Sequence, residues 1–344
     1  MRKVLFALLV LSLAIVMGSP AMAADPSFTG IAYIQGHGGH VAVVDLATGD
    51  VARYSHGKAA DTAILSKDGS ILFTFSLDGN VRETDIKTGK QTEWARVGKK
   101  HCGSAYAPDG NIWVSDMADG NVYIYDPKNR KLVDSFNVSK STCGITFSKD
   151  GKTAFVVDMP GGFVSVVDVA TKKVKSKIDG VGTFLHRGRL QPESNLLWVS
   201  DGAEVKAGEA NGVGYVDAGG APGRVSIVDT ASSKLVDSLL IGGNPHDVEF
   251  SKDGKYAFVV SRQIPERDDS AIVVVDTATK RVVKMYSACK KCHGAIGVKV
   301  DEKKDGGRPF LCAIEIRWDQ KEIPATAEGV PGAIEKPKPA PAAH

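Results

Sequence analysis

Six segments of this chain share one pattern, a β-branched run that ends in Asp and passes into a polar turn. They read VAVVDLATGD, VRETDIKTGK, VYIYDPKNRK, VSVVDVATKK, VSIVDTASSK and IVVVDTATKR. Their aspartates are Asp45, Asp85, Asp126, Asp168, Asp229 and Asp276, at spacings of 40, 41, 42, 61 and 47 residues. A second pattern interleaves with the first: LSKDGSILF, APDGNIWV, FSKDGKTAFVV, QPESNLLWV and FSKDGKYAFVV. Each unit therefore reads as four strands. Strand a leads into the S-K-D-G turn, strand b follows it, strand c carries the VSVVD run and strand d closes the unit. Alternation with β-branched residues supports the strands, and Asp-Gly supports tight turns. Period and strand count specify an all-β fold, a β-propeller. The chain starts on a b-like strand (GIAYIQ) and leaves after an a-like strand (GAIGVKV) and a b-like strand (PFLCAIEI). The expected count is seven four-stranded blades, with six or eight as alternatives, and a ring closed by pairing N- and C-terminal strands.

The VxVVDxATxK and FSKDGKxAFVV units resemble the YVTN-type propeller repeats of exported bacterial proteins. That group includes the propeller domain of haem-containing dissimilatory nitrite reductase. The resemblance covers roughly residues 28–317 and implies the fold, export and a functional face. In the nitrite reductase family that face holds a non-covalent tetrapyrrole, with His residues on the same side. No stretch of this chain matches that haem pocket residue by residue, so the carry-over stops at the fold and the face.

Both ends fall outside the repeats. Arg2 and Lys3, an apolar run from Val4 to about Met17, and Ala21-Met22-Ala23 form a cleavable signal peptide over residues 1–23. Residues 24–323 are the propeller domain, and Pro/Ala-rich residues 324–344 read as a flexible tail. The expected location is periplasmic or secreted, with no membrane insertion after cleavage. Net charge is +3 with both signs dispersed, and no basic stripe interleaves with aromatics, so no nucleic-acid partner is expected. No G-x-S-x-G, H-E-x-x-H or phosphate-binding loop is present. Whether the protein is an enzyme is left open.

In such a blade the a–b and c–d turns share one face, and the b–c and d–a loops share the other. The first face carries short repeated turns. The second collects the irregularities: a Gly/Ala-rich insertion over about 202–223, the RQIPERDDS extension, and four of the five cysteines. Variable loops on a rigid scaffold are where binding concentrates. Aligning the a strands puts Asp61, Cys102, Cys143, His186 and His246 in one column at the channel mouth. These are metal-ligand types, and His101 adjoins them. Cys102 and Cys143 lie in adjacent blades, so a disulfide between them is the competing reading. Asp116, Asp158 and Asp201, which follow strand b, read as turn caps in preference to cation ligands. Trp113 and Trp198 read as core, as does Cys312 in its strand-like apolar run.

Cys289-Lys290-Lys291-Cys292-His293 has the C-x-x-C-H spacing of c-type haem attachment. Two thiols at that spacing add to the haem vinyl groups, and His293 ligates the iron. His246, His186 or His101 would supply the second axial position, or a substrate would occupy it. Arg187, Arg189 and Arg262 border this face as partners for the haem carboxylates. Three alternatives compete: a Cys289–Cys292 disulfide, a copper or zinc site without haem, and repeat ancestry of the Cys-His pair. The function expected is that of a periplasmic redox protein with haem c or a metal at one channel mouth, working with an electron-transfer partner. The alternative is a metal-binding propeller or an interaction scaffold.

Overall fold

A computed structural model describes residues 26–36, 40–55, 60–202, 223–241, 244–264, 269–290 and 311–324. Blade one begins with β1 (Ile31–Gly36), β2 (His40–Asp45) and β3 (Val51–Ser55). Blade two is β4 (Ala60–Leu65), β5 (Ile71–Ser76), β6 (Asn80–Asp85) and β7 (Gln91–Arg96). Blade three is β8 (His101–Tyr106), β9 (Ile112–Asp116), β10 (Asn121–Asp126) and β11 (Lys131–Asn137). Blade four is β12 (Thr142–Phe147), β13 (Thr153–Asp158), β14 (Phe163–Asp168) and β15 (Lys173–Ile178). Blade five is β16 (Leu185–Leu190), β17 (Leu196–Asp201), β18 (Arg224–Asp229) and β19 (Lys234–Leu240). Blade six is β20 (Pro245–Phe250), β21 (Tyr256–Ile264), β22 (Asp269–Asp276) and β23 (Val282–Lys290). The last strand, β24 (Leu311–Arg317), returns to blade one, giving the sheet order β24-β1-β2-β3.

The described residues thus form six blades, and the expected seven is corrected. The apolar run PFLCAIEI, read above as a b strand, is instead the inner a strand of the first blade. It pairs antiparallel with β1 from Ile31↔Arg317 to Gly36↔Leu311. A chain that starts on strand b needs its last strand to complete that sheet. The run GAIGVKV at 294–300 lies outside the described residues.

The repeat has a local chemical cause. In all six units the Asp that ends strand c accepts hydrogen bonds from backbone amides of the following turn, as in Ala47 N to Asp45 Oδ1 at 2.7 Å and Thr171 N to Asp168 Oδ1 at 2.8 Å. The pKa is held below the ordinary value at Asp85 and Asp276 chiefly by these backbone bonds, and at Asp126, Asp168 and Asp229 chiefly by side-chain hydrogen bonds from Asn129, Lys175 and Ser232, with the backbone bonds adding to them. The S-K-D-G turns work similarly. Ser66 donates to Asp68 at 2.6 Å, and Ser148 and Ser251 repeat this with Asp150 and Asp253. Gly69, Gly151 and Gly254 supply the positive φ that the turn requires. Trp113 packs edge-to-face at 5.1 Å on Phe136 of its own blade and on Phe147 of the next, and Trp198 packs on Phe250 of the next blade at 5.6 Å. Both tryptophans are buried, as expected of core.

Candidate functional site at the channel mouth

The second residue of each inner strand forms the column read from the sequence: Asp61 on β4, Cys102 on β8, Cys143 on β12, His186 on β16 and His246 on β20. The structure adds a sixth member, Cys312 on β24. It was missed because PFLCAIEI had been placed one strand outward. Once that run is set as an inner strand, the register alone puts Cys312 in the column.

The column is not one metal centre. Cys102 and Cys143 form a buried disulfide that joins the inner strands of blades three and four, so neither thiol is a ligand. Cystine sulfurs lack the thiolate that binds metals. Glycine makes the close approach feasible: a Cβ at Gly103 would collide with the Cys143 carbonyl, and one at Gly144 would lie 2.7 Å from the Arg187 Cα. His186 and His246 are buried, and their rings stack with centroids 3.6 Å apart and planes 36° apart. Phe184 meets His186 edge-on at 5.0 Å. Beside them, the buried Asn244 Oδ1 accepts no hydrogen bond among the described residues. Gly202, at the end of β17, faces both groups: a Cβ there would overlap Asn244 Oδ1 and lie 3.0 Å from His186 Nε2. Among the described residues no group of three or more His, Cys, Asp or Glu side chains is arranged to hold a metal ion.

His101 packs among aromatic rings. Its ring is fully buried among Phe75, Tyr123 and Tyr125, at 6.0–6.2 Å between centroids. Burial lowers its pKa to about 4, against the opposing pull of Asp116. That is the environment of a packed, neutral imidazole.

The arginines are also relocated. Arg187 occupies the third position of β16, where β8 and β12 carry Gly103 and Gly144. Its guanidinium fills the space those glycines leave. Nε donates to the Cys102 carbonyl at 3.0 Å, Nη2 donates to the same carbonyl, and Nη1 donates to the Cys312 carbonyl. Arg189 lies two residues further along β16, away from the histidine mouth. It pairs with Glu315 at 2.6 Å and Glu249 at 3.3 Å. Both arginines line one cavity with Gly103, Gly144 and Asp247, since residues i and i+2 share a side of a strand. The side chains of Asp61, Arg262 and Cys289 lie outside the described residues, as do Cys292 and His293.

Asp116 and Asp201 cap the d–a connections before their own inner strands. Asp116 Oδ2 accepts from Lys99 N at 2.6 Å and Lys100 N at 2.9 Å, and Asp201 Oδ1 accepts from Phe184 N at 2.8 Å. Asp158 caps its own b–c turn through Gly161 N at 2.6 Å. All three are the turn caps read from the sequence.

Among the described residues, the strands of blade six run further on the histidine side than those of blade five. In blade five the b–c pairing ends at Asp201↔Arg224, and the equivalent pair in blade six is Ser261↔Ala271. There β21 runs on through Arg262 to Ile264, and β22 and β23 extend with it through the pairs Ser270↔Cys289 and Asp269↔Lys290. At about 3.3 Å per residue, this three-stranded ledge adds roughly 10 Å. Cys289 lies on it, at the outer strand.

The described residues define an all-β, six-bladed propeller whose ring is completed by its last strand and whose channel is lined by two arginines. No family model matches the chain, and no curated protein sequence matches it. Among solved structures, hydrazine synthase of Kuenenia stuttgartiensis is similar with a TM-score of 0.51 and 23% identity. The match covers 65% of this chain and 64% of that one, so it spans less than two thirds of the neighbour. The likeness is one of fold.

Proposed function

We propose that this chain is an exported redox protein that carries a c-type haem at Cys289 and Cys292, with His293 as the first iron ligand. The observation that carries the reading is the cysteine inventory. Five cysteines are present. Cys102 and Cys143 are consumed by the disulfide, and Cys312 is buried on an inner strand. The two that remain are those at C-x-x-C-H spacing, and the first of them sits on the ledge of blade six above the histidine mouth. The signal peptide directs the chain to a compartment where such attachment occurs. Bound there, haem supplies a one-electron iron couple. The chain's own part would be attachment through Cys289 and Cys292 with His293 on the iron, and His246 or His186, stacked at 3.6 Å, would be the candidate second ligand. A periplasmic electron carrier is the partner such a centre would serve. The resemblance in fold to a hydrazine synthase is compatible with a redox setting and carries no weight for the cofactor.

A second reading has one observation in its favour. Two stacked imidazoles beside the amide oxygen of Asn244 offer borderline donors to copper or zinc without haem. One experiment separates the two. The chain is produced with c-type maturation machinery, and its absorption spectrum is recorded before and after acid–acetone extraction. A Soret band that survives extraction and disappears in C292A supports the haem. A colourless protein with stoichiometric copper or zinc supports the second reading, and a cofactor-free Cys289–Cys292 disulfide removes both.

A further inference from the structure

The channel below the histidine pair holds a charge imbalance that the haem reading does not use. Two guanidinium groups, Arg187 and Arg189, face three carboxyl groups, Asp247, Glu249 and Glu315, all drawn from β16, β20 and β24. Arg189 touches both glutamates, at 3.3 Å and 2.6 Å. Asp247 is committed to backbone, accepting from Val248 N at 2.8 Å and from Ile314 N at 3.1 Å. Tyr106 of β8 lies within electrostatic reach of Glu315, and Lys67 of the β4–β5 turn sits over the Tyr106 ring at 5.8 Å. β12 contributes no titratable side chain to this level, and β4 contributes only Ile64 and Leu65.

These same groups hold the strand that closes the ring. The channel-facing edge of β24 has no sheet partner, so its backbone polar groups need side chains. The Cys312 carbonyl accepts from Arg187, Ile314 N donates to Asp247, and the Ile314 carbonyl accepts from Arg189 at 3.4 Å. Removing charge balance here loads strain on β24, the strand whose pairing with β1 closes the ring.

We propose that Glu249 and Glu315 hold one proton between them against Arg189, and that releasing this proton loosens β24, making closure of the ring pH-dependent. With that proton the cluster carries two positive and two negative charges. Without it, a carboxylate is left unmatched in a largely buried channel, which is costly. Burial raises all three carboxyls, Glu249 to about 7, with Arg189 opposing the shift, and at Asp247 the bonds from Ile314 N and Val248 N also favour the charged form. The sign follows from linkage. A carboxyl whose folded pKa lies above its unfolded value stabilises the fold fully below the unfolded pKa of 4.5, and that contribution is lost as pH rises through about 7.

The proposal stands apart from the haem reading. Its test is hydrogen–deuterium exchange of the peptide covering 311–317 in the full mature chain, expressed as protection relative to the intrinsic rate at each pH. Between pH 6 and pH 8.5 the wild type should lose protection in this strand by about tenfold, while peptides from β12 should not change. E249Q mimics the protonated form, and E315Q is its counterpart. At least one of them should fold and remain protected at pH 8.5 as at pH 6. Equal wild-type protection at the two pH values overturns the proposal. So does a full loss retained in both variants, or failure of both to fold at pH 6.

Discussion

The two sides of the inner ring are held by different chemistry. Between blades three and four, Cys102–Cys143 cross-links β8 to β12, and glycines at 103 and 144 let these backbones and that of β16 approach closely. Across blades five, six and one, the contacts among inner strands are ionic and hydrogen-bonded, through Arg187, Arg189, Asp247, Glu249 and Glu315. The covalent link reinforces a seam the polypeptide already connects. The ionic one holds β24, the strand whose pairing with β1 closes the ring, against β16 and β20. The ring thus carries its covalent link away from the closing strand and its ionic contacts at it, on the side that also carries the extended strands of blade six.

The largest effect should come from breaking the covalent side. C102A/C143A removes a cross-link spanning 41 residues, and unfolded-state entropy alone predicts a loss of about 4 kcal/mol. Chemical denaturation of the double variant against the oxidised wild type measures it, and reduced wild type should behave like the variant. A loss below about 1 kcal/mol would mean that close packing of the three inner strands, and not the bond, sets the strength of that side.

Breaking the ionic side should cost somewhat less and depend on pH. R189M strands Glu249 and Glu315 without their cation, a loss of about 3 kcal/mol that shrinks as the pH is lowered and the glutamates take up protons. R189M/E249Q/E315Q should recover most of it. If the triple variant is as unstable as R189M, the role of Arg189 is packing and its charge is incidental.

A third measurement separates the two sides in a pH profile. Global stability should show a muted slope between about pH 5 and 7, because two buried groups act oppositely. Glu249 contributes stability that falls as pH rises toward about 7. His101, held neutral with a pKa near 4, contributes stability present above 6.5 and lost as pH falls toward 4. H101F keeps an aromatic ring beside Phe75 and Tyr125 and removes the second contribution. Its stability should then fall with rising pH across this window, diverging from wild type by about 2 kcal/mol at pH 5. A variant profile parallel to that of the wild type would contradict the buried neutral imidazole.

Much of this was legible because the repeat is chemical as well as statistical. The Asp closing each c strand caps its own turn, so six aspartates announce six turns. The column at the second position of strand a was legible for the same reason: equivalent positions in a repeat face the same way. Three features were not. Cys312 escaped because closure moves the last strand into the first blade, which local sequence does not encode, and the same displacement inflated the blade count. Adjacent cysteines in a ring suit a disulfide and a metal equally, and only the Cα–Cα distance of 4.8 Å decides. Arg187 and Arg189 read as face residues because i and i+2 share a side of a strand, but not which depth of the channel each reaches.

The smallest effects should come from the opposite, regular face, and they sharpen the contrast by being purely local. The fourth residue after each repeat Asp takes positive φ: Gly49 and Gly89 in two blades, but Arg130, Lys172, Ser233 and Lys280 in the others. An L-residue there carries a backbone penalty of about 1 kcal/mol, partly offset because glycine makes the unfolded chain more flexible. S233G should therefore stabilise by about 0.5 kcal/mol. G49S should destabilise by a similar amount, since a Cβ at Gly49 meets no atom within 4 Å and adds no clash. Neither change should alter the protection of β24 or its pH dependence. If S233G shifts the exchange of residues 311–317, the two faces are mechanically coupled, and the channel contacts alone do not govern closure of the ring.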